Sequence, residues 1–215
     1  MRLVCLSDIH GQLAKSIKIP SGDILIFSGD YVDSDKTATD TLNRVVSWLE
    51  QSDCKTILFT PGNHDRLFER DIHLARKILD EDYDKRIILL MDKAVTIDGI
   101  NFYGSPYSPE FRNWAFMYRR GYEAKKKWEQ IPPETNILFT HGPPYGKLDL
   151  TPEMQNVGCE QLRDRITQLP NLKAHIFGHI HDSYGRVKKD GVEYINASIC
   201  NEAYKPINPI QILDI

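Results

Sequence analysis

Five short apolar runs in this chain each end on residues whose side chains can ligate a metal ion or move a proton. The five ends read Asp8-Ile9-His10, Gly29-Asp30-Tyr31-Val32-Asp33, Gly62-Asn63-His64-Asp65, Thr140-His141-Gly142 and Gly178-His179-Ile180-His181. They hold five of the seven histidines of the chain. Short apolar runs bounded by turn residues are typical of buried strands, and open α/β sheets bind ligands at the carboxyl ends of their strands. The pattern predicts one polar, metal-binding site assembled from separate strand ends.

Seven of these residues are of types that ligate metals, namely Asp8, His10, Asp30, Asn63, His141, His179 and His181. Residues two apart at a strand end project to the same side, as Asp8 and His10 do. A set without thiolates suits Mn²⁺, Fe, Co²⁺, Ni²⁺ or Zn²⁺. Seven groups are too many for one ion with open positions, but they suit two ions about 3.5–4 Å apart that share a carboxylate. Such a pair clamps the attacking and leaving oxygens of a phosphoryl displacement, so the ligand set predicts hydrolysis of phosphate esters.

The segments between the strand ends carry the periodicities of helices and hairpins. After a helix start at Thr37, apolar residues recur at helical spacing at Leu42, Val45, Val46 and Leu49. A second helix is predicted after the Asn63-His64 turn, with an apolar side formed by Leu67, Ile72, Ala75, Ile78 and Leu79, and two more over Gly121–Gln130 and roughly Gly158–Gln168. Asp98-Gly99 and Asp190-Gly191 signal hairpins. We therefore predict an α/β fold organised as one domain over residues 1–215.

The segment Ser105–Tyr122 is aromatic, contains proline and lacks the periodicity of a strand or a helix. A loop this long inside a compact domain is usually functional. Its aromatic side chains either stack a nucleobase, because aromatic faces accept any base, or form the core of the loop, and both alternatives stay open. The candidates for substrate contact are Tyr107, Arg112, Asn113 and Trp114.

Composition narrows the class of protein further. The 215 residues are 41% hydrophobic and carry a net charge of −3, which disfavours a stable nucleic-acid partner. No leader is visible, and no run approaches the roughly 18–20 apolar residues that span a membrane. The four cysteines are widely spaced and predict buried free thiols, so we expect a cytoplasmic protein without a membrane partner. The oligomeric state stays open.

Several other polar residues have plainer explanations than chemistry. His73 and His175 are predicted to be packed or surface histidines, and Asp65 is explained by the N-terminus of the helix that it precedes. A basic cluster is formed by Arg119, Arg120, Lys125, Lys126 and Lys127. We interpret this cluster as a solvated helix face rather than a nucleic-acid patch, because Glu123 and Glu129 balance it.

The five blocks together resemble those of the calcineurin-like metallophosphoesterase superfamily, in the same order over residues 8 to 181. Four further stretches resemble the metallophosphoesterase-domain (brain-type) subfamily of nucleotide-acting phosphodiesterases. They are Phe102–Pro106, Asn113–Phe116, Thr140–Pro144 and Tyr194–Ser198. The resemblance implies two facing mixed β-sheets flanked by helices, with the metals at the strand ends.

The resemblance also implies a role for each site residue. One metal would be held by Asp8, His10, Asp30 and His181. The second would be held by Asp30, Asn63, His141 and His179, with Asp30 bridging. His64 would lie near the leaving-group oxygen, with Asp33 orienting its imidazole, and a metal-bridging hydroxide would attack phosphorus in line. Some members of the subfamily carry glycine at the position of His179, so its presence here implies a competent enzyme.

The function expected from these observations is a phosphodiesterase with two divalent metal ions, Mn²⁺ first among them, acting on small nucleotide-like substrates such as cyclic nucleotides. A second hypothesis is a phosphomonoesterase, including a protein phosphatase. The Ser/Thr protein phosphatases continue the second block with Arg-Gly, whereas this chain continues with Ser34-Asp35 and lacks that phosphate clamp. A nuclease is a third hypothesis, and a slow nucleotide-binding regulatory protein is a fourth.

Overall fold

The computed structural model describes residues 1–13, 17–80 and 86–215, with Asp80 described by its backbone alone. The strands are β1 Arg2–Leu6, β2 Ile24–Ser28, β3 Thr56–Thr60, β4 Ile87–Leu89, β5 Lys93–Ile97, β6 Ile100–Ser105, β7 Ser108–Pro109, β8 Met117–Tyr118, β9 Ile137–Thr140, β10 Ala174–Phe177, β11 Gly185–Lys189, β12 Val192–Asn196 and β13 Gln211–Asp214. The helices are α1 Ala38–Leu49, α2 Leu67–Arg70, α3 Ile72–Asp80, α4 Tyr122–Trp128 and α5 Glu160–Ile166.

Two mixed sheets form the body of the molecule. The first has the order β13-β1-β2-β3-β4, in which β1 to β4 are parallel and β13 is antiparallel to β1. The second has the order β11-β12-β10-β9-β6-β5, with four parallel central strands and an antiparallel strand at each edge. This arrangement confirms the predicted α/β fold with mixed sheets flanked by helices.

The two sheets face each other across a shared apolar layer. Leu3 and Cys5 of β1 belong to the same buried cluster as Phe139 of β9 and Ile176 of β10. The alternate residues of β1 point to the opposite face and pack with α1. Strands buried on both faces read as continuous apolar runs, which explains the pattern seen in the sequence.

The helices follow the sequence pattern with two exceptions. The apolar face of α1 is buried as predicted at Leu42, Val45, Val46 and Leu49. Thr37 precedes α1, but its hydroxyl donates to the Ser34 carbonyl at 3.1 Å instead of capping the helix. The single helix expected after His64 is instead divided into α2 and α3 at Asp71, where φ is −146°. The Asp71 carboxylate accepts from the backbone N–H of Leu74 at 3.0 Å, so a side-chain bond starts a new helix there.

Both predicted hairpin turns are present. Asp98 and Gly99 have φ of 49° and 78°, and Asp190 and Gly191 have φ of 52° and 82°. Two consecutive positive φ values are those of a type I′ turn, whose twist matches that of the flanking strands. The aromatic segment, expected to be unpatterned, contains the short parallel pair β7–β8.

Two of the expectations from composition can be compared directly with the structure. Cys5, Cys54, Cys159 and Cys200 are all free and buried, as predicted. Within the three described ranges, no helix reaches the length and apolar character needed to cross a bilayer.

Candidate metal centre

The five polar strand ends meet at one place between the two sheets. β1, β2 and β3 are parallel neighbours in the first sheet, and β9 and β10 are parallel neighbours in the second, so the carboxyl ends within each sheet lie at the same edge. Backbone bonds then tie the loops together. The N–H of Asp8 donates to the Gly29 carbonyl at 2.9 Å, and the N–H of Gly178 donates to the His141 carbonyl at 3.0 Å.

The backbone is strained where these side chains project. Four of the seven candidate ligands have positive φ, namely Asp8 at 52°, His10 at 43°, Asp30 at 58° and His179 at 71°. Left-handed conformations are uncommon for residues other than glycine, and they persist where the surrounding structure fixes them. Such strain clusters at functional sites, where it directs side chains to a common point.

Ligand atoms from separate loops converge on the Asp30 carboxylate. His141 Nε2 lies 3.4 Å from Asp30 Oδ2, and His10 Nε2 lies 3.8 Å from the same oxygen. On one side, His181 Nε2 is 3.2 Å from His10 Nε2. On the other side, Asn63 Oδ1 is 2.7 Å from His141 Nε2. Asp30 therefore stands between two groups of donors, as the predicted bridging position requires.

Asp8 and His179 complete the two groups. His181 Nε2 lies 3.3 Å from Asp8 Oδ1, which places Asp8 with His10 and His181. The ring of His179 lies 5.0 Å from that of His141, centroid to centroid, on the other side. The structure thus places five of the seven predicted ligands, Asp8, His10, Asp30, His141 and His181, in clusters able to bind metal ions, with Asn63 and His179 next to His141.

The outer bonds of the histidines show that the donor set fits divalent cations. His141 Nδ1 lies 3.0 Å from the Ser28 carbonyl, and His181 Nδ1 lies 3.1 Å from the Asn201 carbonyl. A carbonyl only accepts, so each Nδ1 donates and each Nε2 presents its second position to the cluster. His181 Nε2 lies 3.2 Å from His10 Nε2, and His141 Nε2 lies 2.7 Å from Asn63 Oδ1. Two lone pairs come this close only when a cation or a proton binds them.

The electrostatics of the site also call for positive charge. Burial alone would raise the pKa of the Asp30 carboxyl, but the His141 and His64 imidazoles hold it well below its usual range. Burial likewise would lower the pKa of His141, yet the Asp30 carboxylate raises it to about 9. Asp8 raises the pKa of His181 to about 9 in the same way, against the effect of burial. Both raised pKa values have the same cause, a buried carboxylate whose negative charge favours a cation beside it.

Metal binding is therefore expected to release protons. His141 and His181 must lose theirs to ligate, and the raised pKa values mean that protons compete up to about pH 9. The apparent affinity for Mn²⁺ should rise with pH, about tenfold per unit for each proton released, and level off near that pH. Titration calorimetry in two buffers of different ionisation enthalpy measures the protons directly. An affinity independent of pH between 6 and 9 would contradict this picture of the site.

Serine hydroxyls and a backbone amide fix the Asp8 carboxylate. Ser7 Oγ and Ser198 Oγ donate to Asp8 Oδ2 at 2.5 and 2.7 Å, and the N–H of His179 donates to the same oxygen at 3.1 Å. Ser198 was not among the predicted site residues. It lies in the Tyr194–Ser198 stretch that carries the resemblance, but its contact with Asp8 depends on the pairing of distant segments.

Gly178 lets the fifth loop approach this carboxylate. A Cβ added to Gly178 would overlap Asp8 Oδ2 and the Ser7 hydroxyl. Gly178→Ala is expected to displace Asp8 and weaken Mn²⁺ binding by about 10–100-fold, the usual cost of disturbing the groups that orient a metal ligand. Metal content after dialysis measures the effect. Gly191→Ala is the control, because it strains a backbone at φ 82° without a collision; equal metal retention in both variants would contradict the prediction.

Asp65 has a different role from the one expected. Its carboxylate accepts from the backbone N–H groups of Gly62 at 2.6 Å, Asp30 at 2.9 Å and Tyr31 at 3.0 Å. The side chain is fully buried, and α2 begins two residues later without a side-chain cap. Asp65 therefore ties the second block to the third instead of serving the helix that follows.

His64 lies at the edge of the cluster that faces the cavity. Its Nε2 is 4.0 Å from Asp30 Oδ2, and its backbone N–H donates to Asp30 Oδ1 at 2.8 Å. The structure differs from the expected role of Asp33, because His64 Nδ1 lies 3.3 Å from the Asp33 main-chain carbonyl. The residue Asp33 is exposed, so the imidazole is oriented by the backbone of Asp33 and not by its carboxylate.

Two of the four candidates for substrate contact line the cavity beside the cluster, namely Arg112 and Trp114. Tyr107 is half-buried, and the Lys127 ammonium lies 3.6 Å from the centroid of its ring. The Asn113 carbonyl accepts from Arg66. Tyr107 and Asn113 thus hold the aromatic segment in place, whereas substrate contact by Arg112 and Trp114 stays a prediction.

The basic cluster is only in part a solvated helix face. Lys125 and Lys126 are exposed, as predicted. Lys127 instead forms an ion pair with Asp92 at 2.7 Å, with both side chains 18% exposed. Arg120 donates to the carbonyls of Val157 and Gly158 and pairs with Glu160, so it binds the segment leading into α5. Arg120 also lines the cavity beside the metal-ligand cluster.

The two remaining histidines take the places expected of them. His73 is exposed on α3. His175 is fully buried in β10, with Nε2 2.8 Å from the Thr140 hydroxyl, and burial lowers its pKa to about 3. Glu153, Glu202 and Tyr204 line the cavity without having been predicted, because they lie on loops whose approach to the site is set by tertiary contacts.

Comparison with known proteins places the chain in a family. Residues 1–183 match the family model described as calcineurin-like phosphoesterase. The whole chain is 34% identical to Metallophosphoesterase domain-containing protein 1 of Homo sapiens, of which it covers 71%, and equally similar to that of Mus musculus. The chain therefore belongs to the calcineurin-like phosphoesterase family, which confirms the resemblance inferred from the five blocks. The family uses a dinuclear divalent metal centre, and membership supports a phosphoric ester hydrolase.

Solved structures share the fold at low sequence identity. The protein TT1561 of Thermus thermophilus superposes with a TM-score of 0.64 at 11% identity, covering 91% of this chain and 88% of that one. The phosphopantetheinyl hydrolase PptH of Mycobacterium tuberculosis gives 0.60 at 17% identity, covering 94% and 90%. These likenesses concern the fold alone.

Proposed function

We propose that this protein is a phosphodiesterase that uses two divalent cations, Mn²⁺ foremost, to hydrolyse small nucleotide-like phosphodiesters, cyclic nucleotides among them. The observation that carries the proposal is the position of the Asp30 carboxylate between two groups of donors, with Oδ2 3.8 Å from His10 Nε2 and 3.4 Å from His141 Nε2. A carboxylate between two sets of ligating side chains is the arrangement that a pair of cations requires.

Residues from both sheets would hold each cation. The first set of ligands is Asp8, His10, Asp30 and His181. The second set is Asp30, Asn63, His141 and His179. Burial lowers the pKa of His10 to about 4 and that of His179 to about 3, so both imidazoles are neutral and ready to ligate at neutral pH. When bound, the two cations supply positive charge to the phosphate oxygens and make a hydroxide nucleophile available near neutral pH.

His64 is the residue that transfers a proton to the departing alcohol. It borders the donor groups and lines the cavity, and its ring is held by the Asp33 carbonyl at Nδ1, which leaves Nε2 facing the site. A positioned imidazole that protonates a leaving oxygen contributes about 10²–10⁴-fold in rate. Asp33 acts on this ring through its main-chain oxygen.

A diester preference is supported by what surrounds the donors. The cavity is about 540 Å³, large enough for a phosphate with an organic substituent on each side. Ser34 and Asp35 follow the second block, so the Arg-Gly of the protein phosphatases is missing from it. A phosphate monoester carries one more negative charge than a diester, and an arginine at that position would be the natural partner for it.

We also propose a cytoplasmic location, a small-molecule partner and a single-domain organisation. Four buried free thiols suit a reducing compartment, which supports a cytoplasmic location. The net charge of −3 supports a small phosphoester or nucleotide partner rather than a nucleic acid or a membrane surface. Residues 1–215 act as one domain, because the donors come from strands distributed over both sheets.

A reconstitution experiment tests the proposed function. Metal-stripped protein is reloaded with Mn²⁺ and assayed on bis(p-nitrophenyl) phosphate, p-nitrophenyl phosphate and cyclic nucleotides, with elemental analysis of the same sample. We expect two Mn²⁺ per chain and a higher kcat/KM on the diester than on the monoester. Full activity in the stripped sample would refute metal dependence. A monoester preference would favour the phosphomonoesterase, and tight nucleotide binding without turnover would favour the regulatory protein.

A further inference from the structure

The cavity beside the metal-ligand cluster is lined by both polar and aromatic side chains. The polar ones include Asp30, Asn63, His64, His179 and His181. Two aromatic side chains from distant parts of the chain line it as well, Trp114 from the segment after β7 and Tyr204 from the loop before β13. A phosphate held by the polar residues would have these rings within reach of its organic substituent.

Trp114 forms the first aromatic wall. Its ring centroid lies 4.6 Å from that of His64, at an interplanar angle of 53°. The Phe111 ring lies 5.9 Å away, edge to face, and the Arg112 guanidinium lies 5.8 Å from the Trp114 ring centroid. The indole is thus supported by Phe111 and Arg112, and it lines the cavity.

Two backbone hydrogen bonds hold the segment that carries Trp114 against the third block and α2. The N–H of Ala115 donates to the Asn63 carbonyl at 3.0 Å. The N–H of Phe116 donates to the Glu69 carboxylate at 2.7 Å. Asn63 is itself a candidate ligand, so the backbone on the C-terminal side of Trp114 is bonded directly to the loop that carries this ligand.

Tyr204 forms the second wall, beside His10 and His181 of the first proposed ligand set. Its ring centroid lies 4.4 Å from that of His10, 5.8 Å from that of His181 and 6.2 Å from that of His64. The side chain is half-buried. His64 therefore has an aromatic ring from each wall beside it, Trp114 and Tyr204.

The loop that carries Tyr204 is built around Asn201. The Asn201 carboxamide oxygen accepts from the N–H groups of Ala203 and Lys205 at 3.1 and 3.0 Å, and the N–H of Tyr204 donates to the Asn201 carbonyl at 2.8 Å. The same carbonyl accepts from His181 Nδ1 at 3.1 Å. Tyr204 has φ of 54°, a strained conformation that this turn maintains. The ring is thus positioned by a residue that also orients a metal ligand.

We propose that Trp114 and Tyr204 form the two walls of a slot that binds the flat organic group of the phosphoester substrate, a nucleobase or another aromatic ring. The proposal rests on the proposed function and names the class of substrate. Aromatic faces stack on any base, and walls that are fixed beforehand lose little freedom on binding. The slot therefore selects esters of flat aromatic groups over aliphatic esters of the same charge.

A pair of substrates with one leaving group separates selectivity from chemistry. Thymidine 5′-(p-nitrophenyl) phosphate and methyl p-nitrophenyl phosphate carry the same charge and the same p-nitrophenyl leaving group, so they differ only in the second substituent of the phosphate, a nucleoside with a base for the slot or a methyl group without a ring. For the Mn²⁺-loaded protein, we expect kcat/KM to favour the nucleoside ester. Tyr204→Leu and Trp114→Leu should each lower this preference by about tenfold, mainly through KM, which is within the range for loss of one stacked ring. Tyr204→Phe should keep it.

Tyr122→Leu is the matched control, because Tyr122 is 74% exposed and lies outside the cavity. It should leave the ratio of the two kcat/KM values unchanged. An unchanged ratio in both Leu variants at the walls would overturn the slot. So would an equal loss on both substrates in Tyr204→Leu, because the ring would then act on His10 and the metals rather than on the substrate.

Equilibrium binding distinguishes failure of the slot from failure of the proposed function. If the wild-type protein hydrolyses neither diester, the proposed function fails, and calorimetry with thymidine 5′-monophosphate still tests the slot. Tyr204→Leu should then weaken binding of the nucleotide by about tenfold relative to inorganic phosphate, since phosphate does not reach the ring. Equal weakening of both ligands would overturn the proposal.

Discussion

Asp30→Asn should abolish phosphoester hydrolysis. The Asp30 carboxylate faces both groups of donors, and its replacement by a neutral amide removes the negative charge that both cations share. If the loss of charge stabilisation amounts to only about 4 kcal/mol, the rate falls about 10³-fold, and loss of both cations would lower it further. Steady-state hydrolysis of bis(p-nitrophenyl) phosphate and the metal content of the same preparation measure the two effects together.

The control for this variant is Asp98→Asn. Asp98 lies in the β5–β6 turn at φ 49°, where asparagine is equally suited to the backbone, so this change removes one carboxylate without touching the site. It should retain activity and metal. If Asp30→Asn kept wild-type turnover with two Mn²⁺ per chain, Asp30 would not bridge the cations and the assignment of the ligands would be wrong.

His64→Ala should lower the rate while leaving both cations in place. His64 faces the cavity and is outside both proposed ligand sets, so metal content should stay at two Mn²⁺ per chain. A missing general acid costs about 10²–10⁴-fold, and the cost is largest for an alkoxide leaving group, which needs the proton most. Esters with p-nitrophenolate, a better leaving group, should lose less.

A comparison of leaving groups gives this prediction its test. The ratio of wild-type to His64→Ala rates is measured for an alkyl and an aryl leaving group on the same phosphodiester core. His73→Ala is the matched control, because His73 is exposed on α3, and it should change neither rate. Equal losses on both leaving groups would mean that His64 serves binding or metal retention rather than proton transfer.

The metal-ligand positions were predictable from the sequence because each ends a buried strand. Strands such as β2 and β9 are apolar on both faces, so they read as uninterrupted apolar runs, and the polar residues that follow mark their carboxyl ends. Parallel pairing then brings these ends to one edge of each sheet. Local pattern and a general rule of sheet topology were sufficient to group Asp8, Asp30 and His141.

The residues that the sequence did not reveal act through contacts between distant segments. Asp65 has the position of a helix-start residue, but its carboxylate is taken by three backbone N–H groups of two loops. Ser198 reaches Asp8 across 190 residues of chain. Tyr204 lies over His10 because a turn at Asn201 is bonded to His181. Asp65 and Ser198 lie in stretches that carry the family resemblance, but a motif does not name the partner of a side chain, so only the folded structure shows these contacts.

The prediction of a single helix after His64 was wrong because the Asp71 side chain competes with the helix for a backbone N–H. The spacing of apolar residues from Leu67 to Leu79 fits one helix, yet Asp71 leaves the helical conformation and binds the N–H of Leu74. The same residue types that start helices can interrupt them, because their side chains offer the backbone an alternative partner.

The most direct test of the two-cation site is anomalous diffraction from crystals of this protein grown with excess Mn²⁺. The account predicts two manganese peaks with the Asp30 carboxylate between them, one peak ligated by His10 and His181 and the other by Asn63 and His141. A single peak, or two peaks that do not share Asp30, would contradict it.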